Sequence, residues 1–181
     1  MKRNILLCIF ALFTTLSCSA RKVDNSTVDS LDLQRYLGKW YEIARYDHSF
    51  ERGIYFPIAT YSINRDGSIR VVNTGIKNGK TKVSVGRAKT TDTDGLLRVS
   101  FFEPFYSDYR VLMLTDDYRH ALVGSGSSKY LWILSRDSVI PMQIKYQLLT
   151  EACRRGYNVN DLIWMEQQKD YENADNWTAA K

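Results

Sequence analysis

The stretch LGKWYEIARYDHSFERG at residues 37–53 decides the reading of this chain. Gly38 suits a tight bend, and Trp40 follows it at the start of the strand-like run Trp40-Tyr41-Glu42-Ile43-Ala44. Side chains alternate along a strand, so Trp40 shares a face with Glu42 and Ala44. An indole at the first position of a strand has to be buried at one end of whatever that strand builds.

Short β-rich runs recur outward from this stretch, at 40–46, 57–64, 68–75, 82–90, 96–102, 109–115, 119–124 and 129–135. Between them stand turn signals such as Asp66-Gly67, Asn78-Gly79, Asp94-Gly95 and Gly124-Ser125-Gly126, of the kind that closes hairpins. Eight consecutive strands without intervening helices predict an all-β fold, an eight-stranded antiparallel up-and-down barrel, with a sandwich as the alternative. Eight is also the strand number whose interior can hold one small ligand. From Ser138 the period changes: Ile144, Leu148, Leu149 and Ala152 recur at helical spacing. Ser138 is read as the N-cap, Pro141 as a first-turn residue and Gly156 as the terminator, which gives one α-helix packed outside the barrel. A short ninth strand is expected at 161–165.

The totals agree with one domain. The chain has 181 residues, 44% hydrophobic and 25% charged, so it is neither disordered nor apolar throughout. Aromatics reach 13%, with twelve tyrosines, more than a small core needs. The net charge is +5, and no Lys/Arg block exceeds a pair, which argues against a nucleic-acid partner. Lys2 and Arg3, the apolar run Ile5–Phe13 and the small residues after it form an export signal at 1–17, too short to span a bilayer. Thr15-Leu16-Ser17-Cys18 resembles a bacterial lipobox, in which Cys18 would be acylated; cleavage after Ser19 or Ala20 is the alternative. With Cys8 in the signal and Cys18 acylated, Cys153 is left alone and no internal disulfide is expected. Residues 18–34 read as a lipidated N-terminus and polar tether, 35–168 as the domain and 169–181 as a polar tail.

Three motifs carry a family resemblance. Gly38-Lys39-Trp40 opens the first strand, Thr115-Asp116-Asp117-Tyr118 forms the corner between the sixth and seventh, and Arg136 closes the eighth. In this order and spacing the chain resembles the lipocalins, and LGKWYEIARYDHSFERG, VSFFEPFY, YRHALVGS and YLWILSR resemble those of bacterial outer membranes, relatives of apolipoprotein D. The resemblance implies a structural role for Gly38, Trp40, Thr115, Asp116, Tyr118 and Arg136 at a closed barrel end, with Arg136 over the Trp40 face. It places Ala44, Ala59, Tyr61, Val71, Asn73, Ala88, Leu97, Val99, Phe101, Val111, Met113, Leu122, Tyr130 and Trp132 inward, as a cavity lining. The open rim is expected to carry Phe50, Arg52, Tyr55, Phe105 and Tyr106, with His48, Phe56, Lys77, Lys80 and Lys82 beside them.

A greasy, basic rim would suit an amphiphile with an anionic head. The implied function is therefore a lipid-binding lipocalin on the periplasmic face of the outer membrane, storing or transporting fatty acids or lysophospholipids in envelope maintenance or stress. An apolar rim patch would also suit a homodimer. The alternatives are an enzyme acting on a lipid, or a haem or pigment carrier. His48 and His120 are the only histidines, Cys153 falls on the external helix, and no spacing suggests a metal or cofactor site, so neither a metal nor a cofactor is expected. A secreted eukaryotic lipocalin would explain the sequons at Asn25 and Asn176, whereas the lipobox-like cysteine points the other way.

Overall fold

A computed structural model describes residues 23–167. The export segment, Cys18, the tail and the Asn176 sequon lie outside the described residues. Eight strands follow in order: β1 (Gly38–Arg45), β2 (Tyr55–Ile63), β3 (Ile69–Lys77), β4 (Lys80–Thr90), β5 (Leu96–Phe102), β6 (Phe105–Leu114), β7 (His120–Gly124) and β8 (Leu131–Ser135). Each is antiparallel to its predecessor, and β1 pairs with both β2 and β8, so the sheet closes into a barrel. A one-turn helix α1 (Leu33–Tyr36) precedes β1; helix α2 (Met142–Arg154) and the two-residue strand β9 (Ile163–Trp164) follow β8.

The turn chemistry is the one the sequence advertises. Lys77 pairs with Lys80 across Asn78 and Gly79, whose φ values are +53° and +70°. Two successive left-handed residues match the twist of the flanking strands, hence Asn-Gly at that tip. The start of α2 differs from the expectation: Pro141, not Ser138, is its N-cap, because a residue preceding proline is driven away from helical geometry. At the other end Gly156 takes φ +91° just past the helix. The ninth strand is shorter than expected, because a 3-10 turn at Val159–Asp161 occupies its first residues.

Apolar residues gather in two cores, one on each side of the barrel wall. Inside, Tyr36, Trp40, Ile69, Val71, Ala88, Leu97, Val111 and Leu134 fill the closed end. Outside, Leu148 and Ala152 of α2 are buried against Ile43, Ala44, Leu112, Leu122 and Ile133. Where β1 and β2 diverge, β9 takes the place beside β1, and the Gln167 amide donates to the carbonyls of Glu42 and Pro57.

Residues 23–34, expected as a tether, are fastened along the barrel. Asp24 N–H donates to Arg155 O, the Asn25 amide to Ser125 O, and Val28 N–H to Val111 O. The buried Arg155 holds this strap, donating to Ser26 O at 2.7 Å and Leu112 O at 2.7 Å while pairing with Glu151 at 2.6 Å. Arg155→Ala is expected to cost about 1–3 kcal/mol, since the buried Leu112 carbonyl and the part-buried Ser26 carbonyl lose their donor, while Glu151 keeps Arg154. Amide exchange at residues 24–28 should accelerate more than exchange in the barrel; equal acceleration in both would show that the strap has no hold of its own.

Candidate binding cavity

The closed end is built by the three motifs. Arg136 lies over the Trp40 ring, 3.8 Å from its centre, and its N–H groups donate to the carbonyls of Lys39, Arg35, Tyr36 and Tyr118. Trp40 Nε1 donates to Tyr36 O at 2.8 Å, so the fully buried indole has its one polar atom satisfied. Gly38, at φ +93°, brings the chain across the floor close beneath the guanidinium; a side chain there would be strained and 3.4 Å from Arg136 Nη1. In the corner, Thr115 Oγ1 donates to Asp117 Oδ1, which accepts from Arg119 N–H, and Tyr118 turns at φ +60°. The Tyr118 ring carries Arg35 on its face at 3.9 Å, and its hydroxyl accepts from Asp32 N–H. These contacts staple α1 under the barrel.

Above this floor lies a cavity of about 800 Å³. Of the expected wall residues, Ala59, Tyr61, Val71, Asn73, Val99, Phe101, Tyr130 and Trp132 line it, as do Phe50, Phe105 and Tyr106 of the expected rim. Ala88, Leu97 and Val111 point inward but sit in the floor packing beneath the space.

Three wall assignments are corrected: Ala44, Met113 and Leu122 face the outer core under α2. The cause is register. β1 slips against β8 between Glu42 and Ala44, and β6 slips against β7 between Val111 and Met113. A one-residue irregularity reverses which face every later side chain takes. Thus Arg45, paired across β8 with the cavity-lining Trp132, takes the inward place assigned to Ala44, and Val123 lines the cavity in place of Leu122. The other two expected rim residues stay outside the lining: Arg52 turns to Asp47 at 2.7 Å, and Tyr55 is exposed beside Phe56.

Inward-facing Arg45 creates a polar cluster in the wall. Its Nη1 donates to Glu42 Oε1 at 2.8 Å and its Nη2 to Glu51 O at 2.8 Å, with Nε 3.5 Å from Glu51 Oε2. His48 Nε2 meets Glu51 Oε2 at 2.7 Å, and Trp132 Nε1 donates to the same oxygen at 3.4 Å. The His48 ring lies against Phe50, Tyr130 and Trp132. Burial, reinforced by the nearby Glu51, pushes Glu42 up to about 8 despite the Arg45 charge. Deeper still, the Tyr61 hydroxyl donates to Tyr109 at 3.0 Å, and Tyr109 shares a 2.6 Å hydrogen bond with Tyr36. Burial raises Tyr61 to about 12 and the other two well above the usual tyrosine range, so the trio is neutral.

Alternation from Trp40 does reach Glu42. Arg45 escapes it because of the bulge in β1, and Glu51, Tyr36 and Tyr109 lie outside that strand, in the β1–β2 loop, on α1 and on β6. The available sign was the clustering of Glu42, Arg45, His48 and Glu51 within ten residues of an otherwise barrel-wall segment.

A closed antiparallel barrel, plugged at one end and hollow toward the other, is a container for a small molecule. The chain belongs to the lipocalin family: the model described as a Lipocalin-like domain matches residues 31–167. It is 44% identical over 163 residues to "Outer membrane lipoprotein Blc" of Escherichia coli (strain K12), covering 87% of this chain and 92% of that protein. Apolipoprotein D of Rattus norvegicus is 32% identical over 123 residues, 62% of this chain and 65% of the relative. Among solved structures, insecticyanin from the tobacco hornworm Manduca sexta superimposes with a TM-score of 0.67 at 21% identity, over 81% of this chain and 86% of that one. At that identity the likeness concerns fold alone.

Proposed function

We propose that this lipocalin stores or carries single-chain lipids, fatty acids or lysophospholipids, at the bacterial outer membrane, anchored through acylated Cys18. The cavity is the observation that carries this reading. Its size lies within the roughly 300–1,000 Å³ of ligand pockets, and Ile58, Val71, Val99, Val123 and Leu134 supply apolar wall for an acyl chain. Each methylene moved from water into such a wall contributes about 0.8 kcal/mol. Glu42 and Glu51 stand inside whereas Lys82 and Arg98 line the space as well, so an anionic head is favoured beside the cations, with the tail directed inward. The names of the Blc relatives support the membrane setting. The His48–Glu51 pair is read as part of a binding wall, since both groups are engaged with each other and with Arg45 or the aromatic rings.

Purified protein should release single-chain lipid on solvent extraction, and Trp132 emission should respond when fatty acid or lysophospholipid is added. Val99→Trp, which places an indole in the space, is expected to weaken that binding at least about tenfold, the equivalent of two buried methylenes. A protein that yields no lipid, or a Val99→Trp variant that binds unchanged, would sink the reading. For the anchor, mass spectrometry of the membrane-purified N-terminal peptide should find acyl chains on Cys18 and none after Cys18→Ser; an unmodified wild-type peptide refutes acylation.

A further inference from the structure

We propose that the open end of the barrel docks on an anionic lipid surface, so that ligand passes between cavity and leaflet without crossing water. Three features meet at that end. The first is apolar: Phe102 and Phe105 flank the β5–β6 tip with stacked rings 6.4 Å apart, yet are 76% and 72% exposed. Phe50 of the β1–β2 loop and Tyr55, the first residue of β2, are exposed at the same end. Aromatic rings held out in water at a mouth they also line are placed to enter an interfacial layer.

The second feature is charge. Lys77, Lys80 and Lys82 on the β3–β4 hairpin and Lys129 in the β7–β8 loop have no ion-pair partner among the described residues. The acidic groups nearby are engaged: Asp47 with Arg52, Asp108 with Arg98 and Arg110, Glu103 with the Tyr106 hydroxyl and Arg87. The surplus at the mouth is therefore cationic, and lysines at an anionic leaflet are attracted by it. A second copy meeting mouth to mouth would set these lysines against one another, which disfavours self-association as the use of the patch.

The third feature is where the chain joins the barrel. The strap begins at the mouth, with Asn25 on Ser125 O and with Val23 buried against Tyr46 and Tyr157, and runs from there down to the floor. Cys18 precedes Val23 by five residues, a reach of at most about 18 Å. An acyl chain on Cys18 would thus hold the mouth, not the floor, toward the membrane. This third feature alone rests on the acylation proposed above.

The test reads the mouth directly. The full chain is expressed with its export segment in a Cys153→Ser background, carrying an environment-sensitive fluorophore at Glu103→Cys on the tip or at Asp94→Cys in a closed-end turn. Protein from either the membrane or the soluble fraction is added to vesicles containing phosphatidylglycerol. The tip label should brighten, shift to the blue and become shielded from an aqueous quencher, while the label at 94 stays unchanged. Phe102→Asp with Phe105→Asp should abolish the tip response. Lys77→Glu with Lys80→Glu should weaken the partitioning of unacylated protein at least about tenfold and make it insensitive to salt. A tip label that stays quenchable on vesicles, equal responses at both positions, or a tip response that needs only raised protein concentration would each overturn docking. Loss of acyl mass at Cys18 with the tip response intact would fault the anchor alone.

Discussion

Trp40→Ala is expected to lower the stability of the domain by about 3–5 kcal/mol, measured as a shift of the urea unfolding midpoint followed by circular dichroism. The indole is fully buried, packs on the Tyr36 ring with centroids 4.9 Å apart, and supports the Arg136 guanidinium at 3.8 Å. Truncation leaves a void at the closed end, removes the donor to Tyr36 O and strips the cation of its aromatic face. The surroundings are poorly able to collapse into the gap, because α1 and the 115–118 corner are tied to one another through Arg35, Tyr118 and Arg136. Trp40→Phe keeps most of the volume and should cost clearly less. A loss below about 1 kcal/mol for the alanine variant would show that the floor does not depend on the ring.

Arg45→Ala should be comparably damaging at alkaline pH, where an ionised Glu42 is left in the wall without its guanidinium partner. Removing one partner of a buried ion pair costs about 3–5 kcal/mol, mostly the penalty of the charge left behind. Glu42 sets the pH dependence. Its folded-state value, raised to about 8, lies above the ordinary 4.5, so its contribution to stability is complete below about pH 4.5 and is lost as pH rises through 8. Glu42→Gln removes that dependence, and the variant should gain on the wild type as pH rises from about 4.5 to about 8 and hold the gain above. Arg45 is one of the influences holding Glu42 down, so Arg45→Ala should lose most at alkaline pH. The double variant Glu42→Gln/Arg45→Ala should recover part of the loss, and the cycle measures the coupling. Urea melts at pH 5, 7 and 9 decide it; a pH-independent penalty for Arg45→Ala would refute the buried-carboxylate account.

The cavity inherits this wall cluster. A ligand that excludes water from Glu42 and Glu51 deepens the burial that already raises Glu42, so binding of an apolar chain and protonation of Glu42 should favour one another. On the binding proposed above, a negatively charged head group would lie near Lys82 and Arg98, which line the same cavity. Docking of the mouth on a leaflet would bring those cations and the lipid head groups to the same plane.

The sequence by itself determined the strand count, the hairpin tips and the external helix. Those follow from local rules: Asn78-Gly79 can adopt two left-handed residues, and Leu148 and Ala152 fall on one helical face. Gly38, Trp40 and Arg136 declare the closed end through the family resemblance. Only the tertiary structure decided which side of the wall Ala44, Met113 and Leu122 take. A slip of one residue in pairing leaves no mark on composition or alternation, yet it moves Ala44 outward and Arg45 inward. It also decided that residues 23–34 are a strap, because polar side chains such as Asn25 and Ser26 find their partners more than 99 residues away in sequence, at Ser125 and Arg155. Local pattern fixes what each segment can be; register and long-range hydrogen bonds choose which face of it meets the ligand.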